Sequence, residues 1–241
     1  MNKPFLSIVI PAYNEEARLP ASLAAIATFL SQQSYRAEVL VVENGSSDHT
    51  FTIAREFAQR YPTFRAIHIA ERGKGIAVKT GMLAAQGEYR FICDADLSMP
   101  IEEVNNFIPP ALKGCDIAIG SREAPGAQRI GEPAYRHFIG RAFNGLVKVM
   151  ALPGLQDTQC GFKCFSARAA DQLFPLQTIQ GWTFDVEVLF LARRFGYAIH
   201  EVPIHWHFNA HSKVRFLRDS LHMAADLIRI RWKAFRKEYG S

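Results

Sequence analysis

Asp94-Ala95-Asp96 places two carboxylates two residues apart, directly after the apolar run Tyr89–Cys93. Hard oxygen ligands so spaced can both reach one Mg²⁺ or Mn²⁺, ions that usually share carboxylates with a substrate's phosphates. A cation held there would neutralise a diphosphate that departs with added negative charge. Solvated turns and helix caps also carry this triplet, so its place in the fold decides its meaning. Pro11-Ala12-Tyr13-Asn14-Glu15 offers the aromatic platform and polar edges that a nucleobase needs, or simply a turn with a charged first helical turn. In Glu43-Asn44-Gly45-Ser46-Ser47-Asp48, Glu43 can hold a base or ribose hydroxyl while Ser47 or Asp48 caps the next helix. Arg72-Gly73-Lys74-Gly75 combines two cations, two glycines and a helix start, a turn that attracts anions.

All four segments follow predicted strands. Apolar runs at Phe5–Ile10, Ala37–Glu43, Phe64–Ala70, Tyr89–Cys93 and Asp116–Gly120 alternate with helical spacing over Glu15–Gln33, Asp48–Arg60, Lys74–Gln86 and Pro100–Phe107. That alternation predicts an α/β fold with a mostly parallel central sheet covered by helices on both faces. Sites in such sheets lie at the carboxyl ends of strands, where the four segments fall. The second half is less regular. Ser121–Pro133 reads as a loop, Ala134–Ala151 as an amphipathic helix bearing Phe138, Ala142, Leu146 and Val149, and Asp157–Phe165 as a compact segment. Asp185–Phe195 reads as a helix that Asp185 caps, and Tyr197–Trp206 as a strand with His205 and His207 on its polar face.

The 241 residues suit one large domain, with 49% apolar and 21% charged residues, which excludes disordered, collagen-like and disulfide-rich classes. Apolar runs such as Val188–Ala192 fall far short of the roughly 18 residues of a membrane span, and Met1–Asn14 does not read as a signal peptide. The four cysteines (Cys93, Cys115, Cys160, Cys164) form no CxxC pair and read as reduced thiols of a cytosolic protein. The net charge is +5, and residues 213–238 hold eight Lys/Arg against three Asp/Glu, so the whole excess sits there. The body lacks a basic stripe, which argues against nucleic acid. Val214, Leu217, Leu221, Ala224, Ile228, Trp232 and Phe235 recur at helical spacing within the basic segment. Such a helix lies on an anionic membrane surface or packs on the body with a solvated basic face.

Gly73-x-Gly75 between a strand and a helix also admits a dinucleotide enzyme, although the third glycine is missing and the turn follows the third strand instead of the first. Taken together, Ser7–Glu15, Val42–Asp48, Arg72–Gly75 and Asp94–Asp96 resemble a family 2 glycosyltransferase of the GT-A fold. Gly120-Ser121-Arg122, Asp157-Thr158-Gln159-Cys160-Gly161-Phe162-Lys163 and Phe184-Asp185-Val186-Glu187 resemble the polyprenyl-phosphate hexosyltransferases, that is dolichyl-phosphate mannose synthases and, nearer in the Asp157–Lys163 run, dolichyl-phosphate β-glucosyltransferases. The resemblance covers most of residues 5–213, with residues 213–241 as a basic amphipathic appendix.

The resemblance implies inverting transfer of a hexose from a nucleotide sugar, UDP-glucose before GDP-mannose, to a polyprenyl or dolichyl phosphate. Pro11, Tyr13, Glu15, Glu43 and Lys74 would hold the donor, and Asp94 and Asp96 the Mg²⁺ or Mn²⁺ and the diphosphate. Arg122, Arg136 and Gln159 would meet the acceptor phosphate, Lys213 would close over the reactants, and Asp185 is the remaining carboxylate on the acceptor side. An acceptor in a membrane makes the basic helix its anchor, peripheral at the cytoplasmic face. Some positions depart from the family pattern. Glu43 stands where Asp is frequent, Ser98 where some members have a metal-binding Gln, and His207 and Ala210 where many have Arg and Gly. Transfer to a glycan or protein hydroxyl, and a non-catalytic nucleotide-sugar-binding module, are the alternative readings.

Overall fold

The computed structural model of the chain describes residues 3–209 and 216–240. In chain order its first half comprises β1 (Leu6–Ala12), α1 (Leu19–Ser31), β2 (Ala37–Asn44), α2 (Thr50–Arg60), β3 (Phe64–Ile69), α3 (Lys74–Ala84) and β4 (Tyr89–Ile92). The second comprises β5 (Ile117–Ser121), β6 (Gln128–Ile130), α4 (Ala134–Met150), β7 (Lys163–Ser166), α5 (Ala167–Leu173), α6 (Phe184–Arg194), β8 (Ile199–Pro203), β9 (His205–His207) and α7 (Phe216–Phe235). Among the described residues no helix is long and apolar enough to cross a membrane.

Seven strands form one sheet in the order β3-β2-β1-β4-β7-β5-β8. All run parallel except β7, which pairs antiparallel with both β4 and β5. Strand residues alternate between two core layers. Leu6, Ile8, Ile10, Val39 and Val41 meet α1 through Leu23 and Ile26 on one face. Val9, Leu40 and Val42 meet α3 through Val78 and Met82 on the other, where α6 and the buried Leu227 and Ile230 of α7 also lie. Burial on both faces is why these strands read as unbroken apolar runs. The strand order reverses between β1 and β4, so the crevice beyond their carboxyl ends is the switch point where ligands settle.

Several local expectations are corrected. The segment 157–165 contains β7, and its reversed direction delivers its beginning, Lys163, to the edge where the parallel strands end. Ser121–Pro133 contains β6, which pairs with β9, and the predicted strand Tyr197–Trp206 is split at Ile204 so that its two parts join different sheets. Ile101–Phe107 is a 3-10 helix. Helix α1 starts at Leu19, after a turn in which Glu15 O accepts from Arg18 N and Leu19 N, and Pro20 fits its first turn because no partner is needed for its missing N–H. Thr183, not Asp185, occupies the N-cap position of α6. The apolar series picked out in the basic segment faces outward where it is described (Ile228 62%, Trp232 59%, Phe235 82% exposed), and a second series, Met223, Leu227 and Ile230, packs on the body.

Phe91, Phe107 and Phe162 form an edge-to-face trio under the crevice, with centroids 4.9–6.2 Å apart. Phe162→Ala is expected to cost about 3–5 kcal/mol by urea denaturation. A loss below about 1 kcal/mol would show that this floor is loosely packed.

Candidate active site

The crevice gathers most of the chemistry. Strand β4 ends at Ile92, and the following turn presents Asp94 and Asp96. Asp94 Oδ1 lies 2.6 Å from Lys74 Nζ, carried by the first residue of α3. Burial opposes the charge of Lys74, but Asp94, then Asp185 and Asp96, hold its pKa above the ordinary lysine value. Burial likewise opposes ionisation of Asp94, and the Lys74, Lys163 and Arg122 cations outweigh it and keep the carboxyl below its usual range. Asp96 accepts from Ser98 N at 3.1 Å and lies 3.5 Å from Arg18 Nη1, while the same guanidinium grips both oxygens of Glu15 at 2.8 Å. Gly161 closes the floor: a Cβ there would sit 1.9 Å from Asp94 Oδ2.

Asp185, in the first turn of α6, points at Lys163, with Oδ1 and Nζ 3.1 Å apart and both side chains buried. Burial raises the Asp185 pKa, and Lys163 and Lys74 only partly offset it. The expected helix cap is thus replaced by a buried ion pair with Lys163. Arg122, just past β5, is fixed by Asp157: Nε and Nη2 donate to the two carboxylate oxygens at 2.7 and 3.0 Å, and the Trp206 ring lies 5.3 Å from the guanidinium carbon. Burial works against the Asp157 charge, yet Arg122 brings its pKa down to about 2. Gln159 N bonds to the same Asp157, which sets Gln159 beside Arg122.

The ends of β1 and β2 are tied into one rim. Asn14 N donates to Ser46 Oγ, Ser47 N to Asn14 Oδ1, and Glu15 N to Thr50 Oγ1 at 2.7–3.0 Å. Glu43 is buried, accepts from Ser46 N and meets His68 Nδ1. The Tyr13 ring lies 5.4 Å from the Arg72 guanidinium carbon. Pro11, Tyr13, Glu15 and Glu43 therefore share one end of the crevice, while Asp94, Asp96, Lys74 and Asp185 form its centre, and Arg122 and Gln159 border the latter. Lys213 lies outside the described residues, and Arg136 belongs to α4 with its side chain outside the description. His205 is paired with Glu103 at 2.7 Å, and His207 N donates to Ser98 O at 2.7 Å.

The glycine turn differs from expectation. Gly75 N and Ile76 N donate to Gln180 O, and a Cβ on Gly73 or Gly75 would lie 2.4 Å from Gln180 O or 2.5 Å from Ile179 O. These glycines make room for the chain's own backbone, which removes the pyrophosphate seat that a dinucleotide enzyme requires and leaves Lys74 as the anion-attracting group of the turn. Sequence reasoning also missed Arg18, Asp157, Lys163 and Trp206 as supports of the site. Asp157 and Lys163 lie inside the run 157–163; Arg18 gave no signal beyond a charged residue before a helix.

Comparison with known proteins agrees with this architecture. The Glycosyl transferase family 2 model matches residues 7–174. The chain belongs to that family. The dolichyl-phosphate beta-glucosyltransferases of Saccharomyces cerevisiae and Homo sapiens are 36% and 34% identical to it, each over 94% of this chain and 74% of its own length. Glucosyl-3-phosphoglycerate synthase from Mycobacterium tuberculosis, crystallised with Mn²⁺, UDP-glucose and glycerol 3-phosphate, superposes with a TM-score of 0.65 at 20% identity, covering 95% of this chain and 79% of that one. The fold is accordingly GT-A, and the protein is a glycosyltransferase.

Asp157→Asn is expected to cost about 3–5 kcal/mol at pH 7, because it strands the Arg122 charge. Since the folded pKa is depressed from 3.8 to about 2, the carboxylate's contribution is full above the unfolded value and is lost as pH falls through that window. Urea midpoints should therefore converge between wild type and variant from pH 4 towards pH 2; a constant gap would refute the pairing.

Proposed function

We propose that the protein transfers glucose, with inversion, from UDP-glucose to a polyprenyl phosphate of the dolichyl type. The observation that carries this is the convergence of Asp94, Asp96 and Lys74 at the switch point of a chain 36% identical to a dolichyl-phosphate beta-glucosyltransferase. A phosphate monoester is already ionised at pH 7, so its oxygen can attack the anomeric carbon without a general base. What the protein must supply is charge: two anionic reactants have to be held together while a diphosphate leaves.

Asp94 and Asp96 fit a divalent cation as hard oxygen ligands, and the ammonium of Lys74 and guanidinium of Arg18 already stand where positive charge is wanted. Among the described residues no third His, Cys, Asp or Glu joins them, which suits Mg²⁺ or Mn²⁺ completed by diphosphate oxygens. Such an ion would act as a Lewis acid on the departing diphosphate. Lys74 adds a second positive charge to the same oxygens. Pro11, Tyr13, Glu15 and Glu43 orient the nucleoside. Arg122, oriented by Asp157, works with Arg136, Gln159 and Lys213 to draw the acceptor phosphate in. Transfer to a glycan or protein hydroxyl would need a free base, whereas Asp185 is tied to Lys163.

The same reading seats the enzyme at a membrane surface, peripheral at the cytoplasmic face. On α7, Ile228, Trp232 and Phe235 are exposed beside Arg229, Arg231, Arg236 and Lys237. Aromatic anchors flanked by cations suit the anionic cytoplasmic leaflet.

Asp96→Asn should lower glucosyl transfer to a short polyprenyl phosphate in Mn²⁺ by about 10²-fold or more while circular dichroism is unchanged. A fully active variant would remove the metal role, and a wild type that uses GDP-mannose and not UDP-glucose would change the donor. Replacing Trp232 and Phe235 together by Ala should weaken sedimentation with phosphatidylserine-containing vesicles by about tenfold or more. Unchanged sedimentation would exclude α7 as the anchor.

A further inference from the structure

Glu187 is fully buried in α6, yet lies on the side of the helix turned away from the aspartates. Its carboxylate accepts four hydrogen bonds. Thr178 N and Oγ1 donate at 2.8 and 2.6 Å, Ile179 N at 2.7 Å, and Tyr239 Oη at 2.7 Å. Tyr239 follows the end of α7 and is 2% exposed, and Lys233 Nζ from α7 donates to Thr178 Oγ1 at 3.0 Å. Here a phenol is buried against a carboxylate that organises a loop.

That loop is the one that shapes the Lys74 turn. Gln180 O accepts from Gly75 N at 2.8 Å and Ile76 N at 3.3 Å, and Gln177 Nε2 donates to Gly75 O at 2.8 Å. Two residues further, the Trp182 ring lies 5.4 Å from Lys74 Nζ. The path from the chain's last helix to the site thus has two hydrogen-bonded links: Tyr239 and Lys233 to Glu187 and Thr178, then residues 177–180 to the start of α3. The Tyr239–Glu187, Ile179–Glu187 and Gln177–Gly75 bonds are buried, where hydrogen bonds constrain geometry most, while Thr178 and Gln180 themselves are exposed.

We infer that Tyr239 and Glu187 are positioning residues for the donor diphosphate: the end of the C-terminal helix latches loop 177–180, and that loop sets Lys74 against the leaving group. The inference rests on the reading that Lys74 meets the donor diphosphate. Tyr239→Phe removes one hydroxyl and keeps the ring. With Mn²⁺ present, its dissociation constant for UDP, read by titration calorimetry, should rise about three- to tenfold, as should the KM for UDP-glucose, with kcat lowered and the acceptor KM changed less than about twofold. Ile26→Ala, a destabilising change in the opposite core layer, serves as the control and should leave UDP affinity within about twofold of wild type. A Tyr239→Phe enzyme with wild-type affinity, or a control that loses affinity equally, overturns the latch.

Hydrogen exchange separates this from the donor assignment, because it needs no nucleotide. The Gly75 and Ile76 amides should exchange faster in Tyr239→Phe and unchanged in Ile26→Ala. Unaltered exchange at these amides refutes the latch, even in an enzyme that binds UDP. Faster exchange in a protein that binds no UDP upholds the latch and refutes the donor reading.

Discussion

A lysine ammonium 2.6 Å from a half-buried aspartate is the interaction on which the crevice depends. Asp94 is half-buried, and without Lys74 the turn after β4 would lose its closest compensating charge and keep only the weaker influence of Lys163 and Arg122. The same logic recurs twice beside it. Lys163 compensates Asp185, and Arg122 compensates Asp157. Three acid–base pairs line one edge of the sheet, each drawn from two different strands or helices. Their charges nearly cancel locally, so the edge can remain dry and still answer strongly when an anion or a cation arrives.

This arrangement explains why the backbone at the edge is so constrained. Gly161 lets Asp94 approach the segment before β7, and Gly73 and Gly75 let α3 begin against residues 179 and 180. Gly161 admits the Asp94 carboxylate, and Gly73 and Gly75 admit the backbone carbonyls of Gln180 and Ile179, where any Cβ would clash. Packing and electrostatics are therefore one problem here, and the edge-to-face phenylalanines beneath Gly161 supply the rigid floor that such short distances demand.

The parallel half of the fold was legible in the sequence because its strands are buried on both faces and read as unbroken apolar runs, with chemistry-bearing residues at their ends. That pattern sets Asp94, Asp96, Lys74, Tyr13 and Glu43 at or just past strand ends, which is where the structure has them. β7 escaped because it spans only four residues and runs against its neighbours, so no crossover helix announces it. Asp185 was misread as a cap because an acid in a first helical turn satisfies that pattern locally, whereas its partner Lys163 lies on a strand reached only through tertiary structure. On α7 the more conspicuous aromatic stripe is the exposed one, and the plainer aliphatic stripe does the packing. Periodicity reveals that two faces exist but not which one the body covers.

The reversal of β7 divides the crevice by origin. One end is assembled from the loops after β1, β2 and β4 with the start of α3. The opposite end is assembled from the exit of β5 and the stretch leading into β7, joined by the Arg122–Asp157 pair. In the function proposed above, the two substrates are thus read by separate stretches of chain that meet where Gly161 faces Asp94 and Cys160 packs on Met99. On that reading residues 121–162 hold Arg122, Arg136 and Gln159, so acceptor range would rest largely on one contiguous stretch of chain.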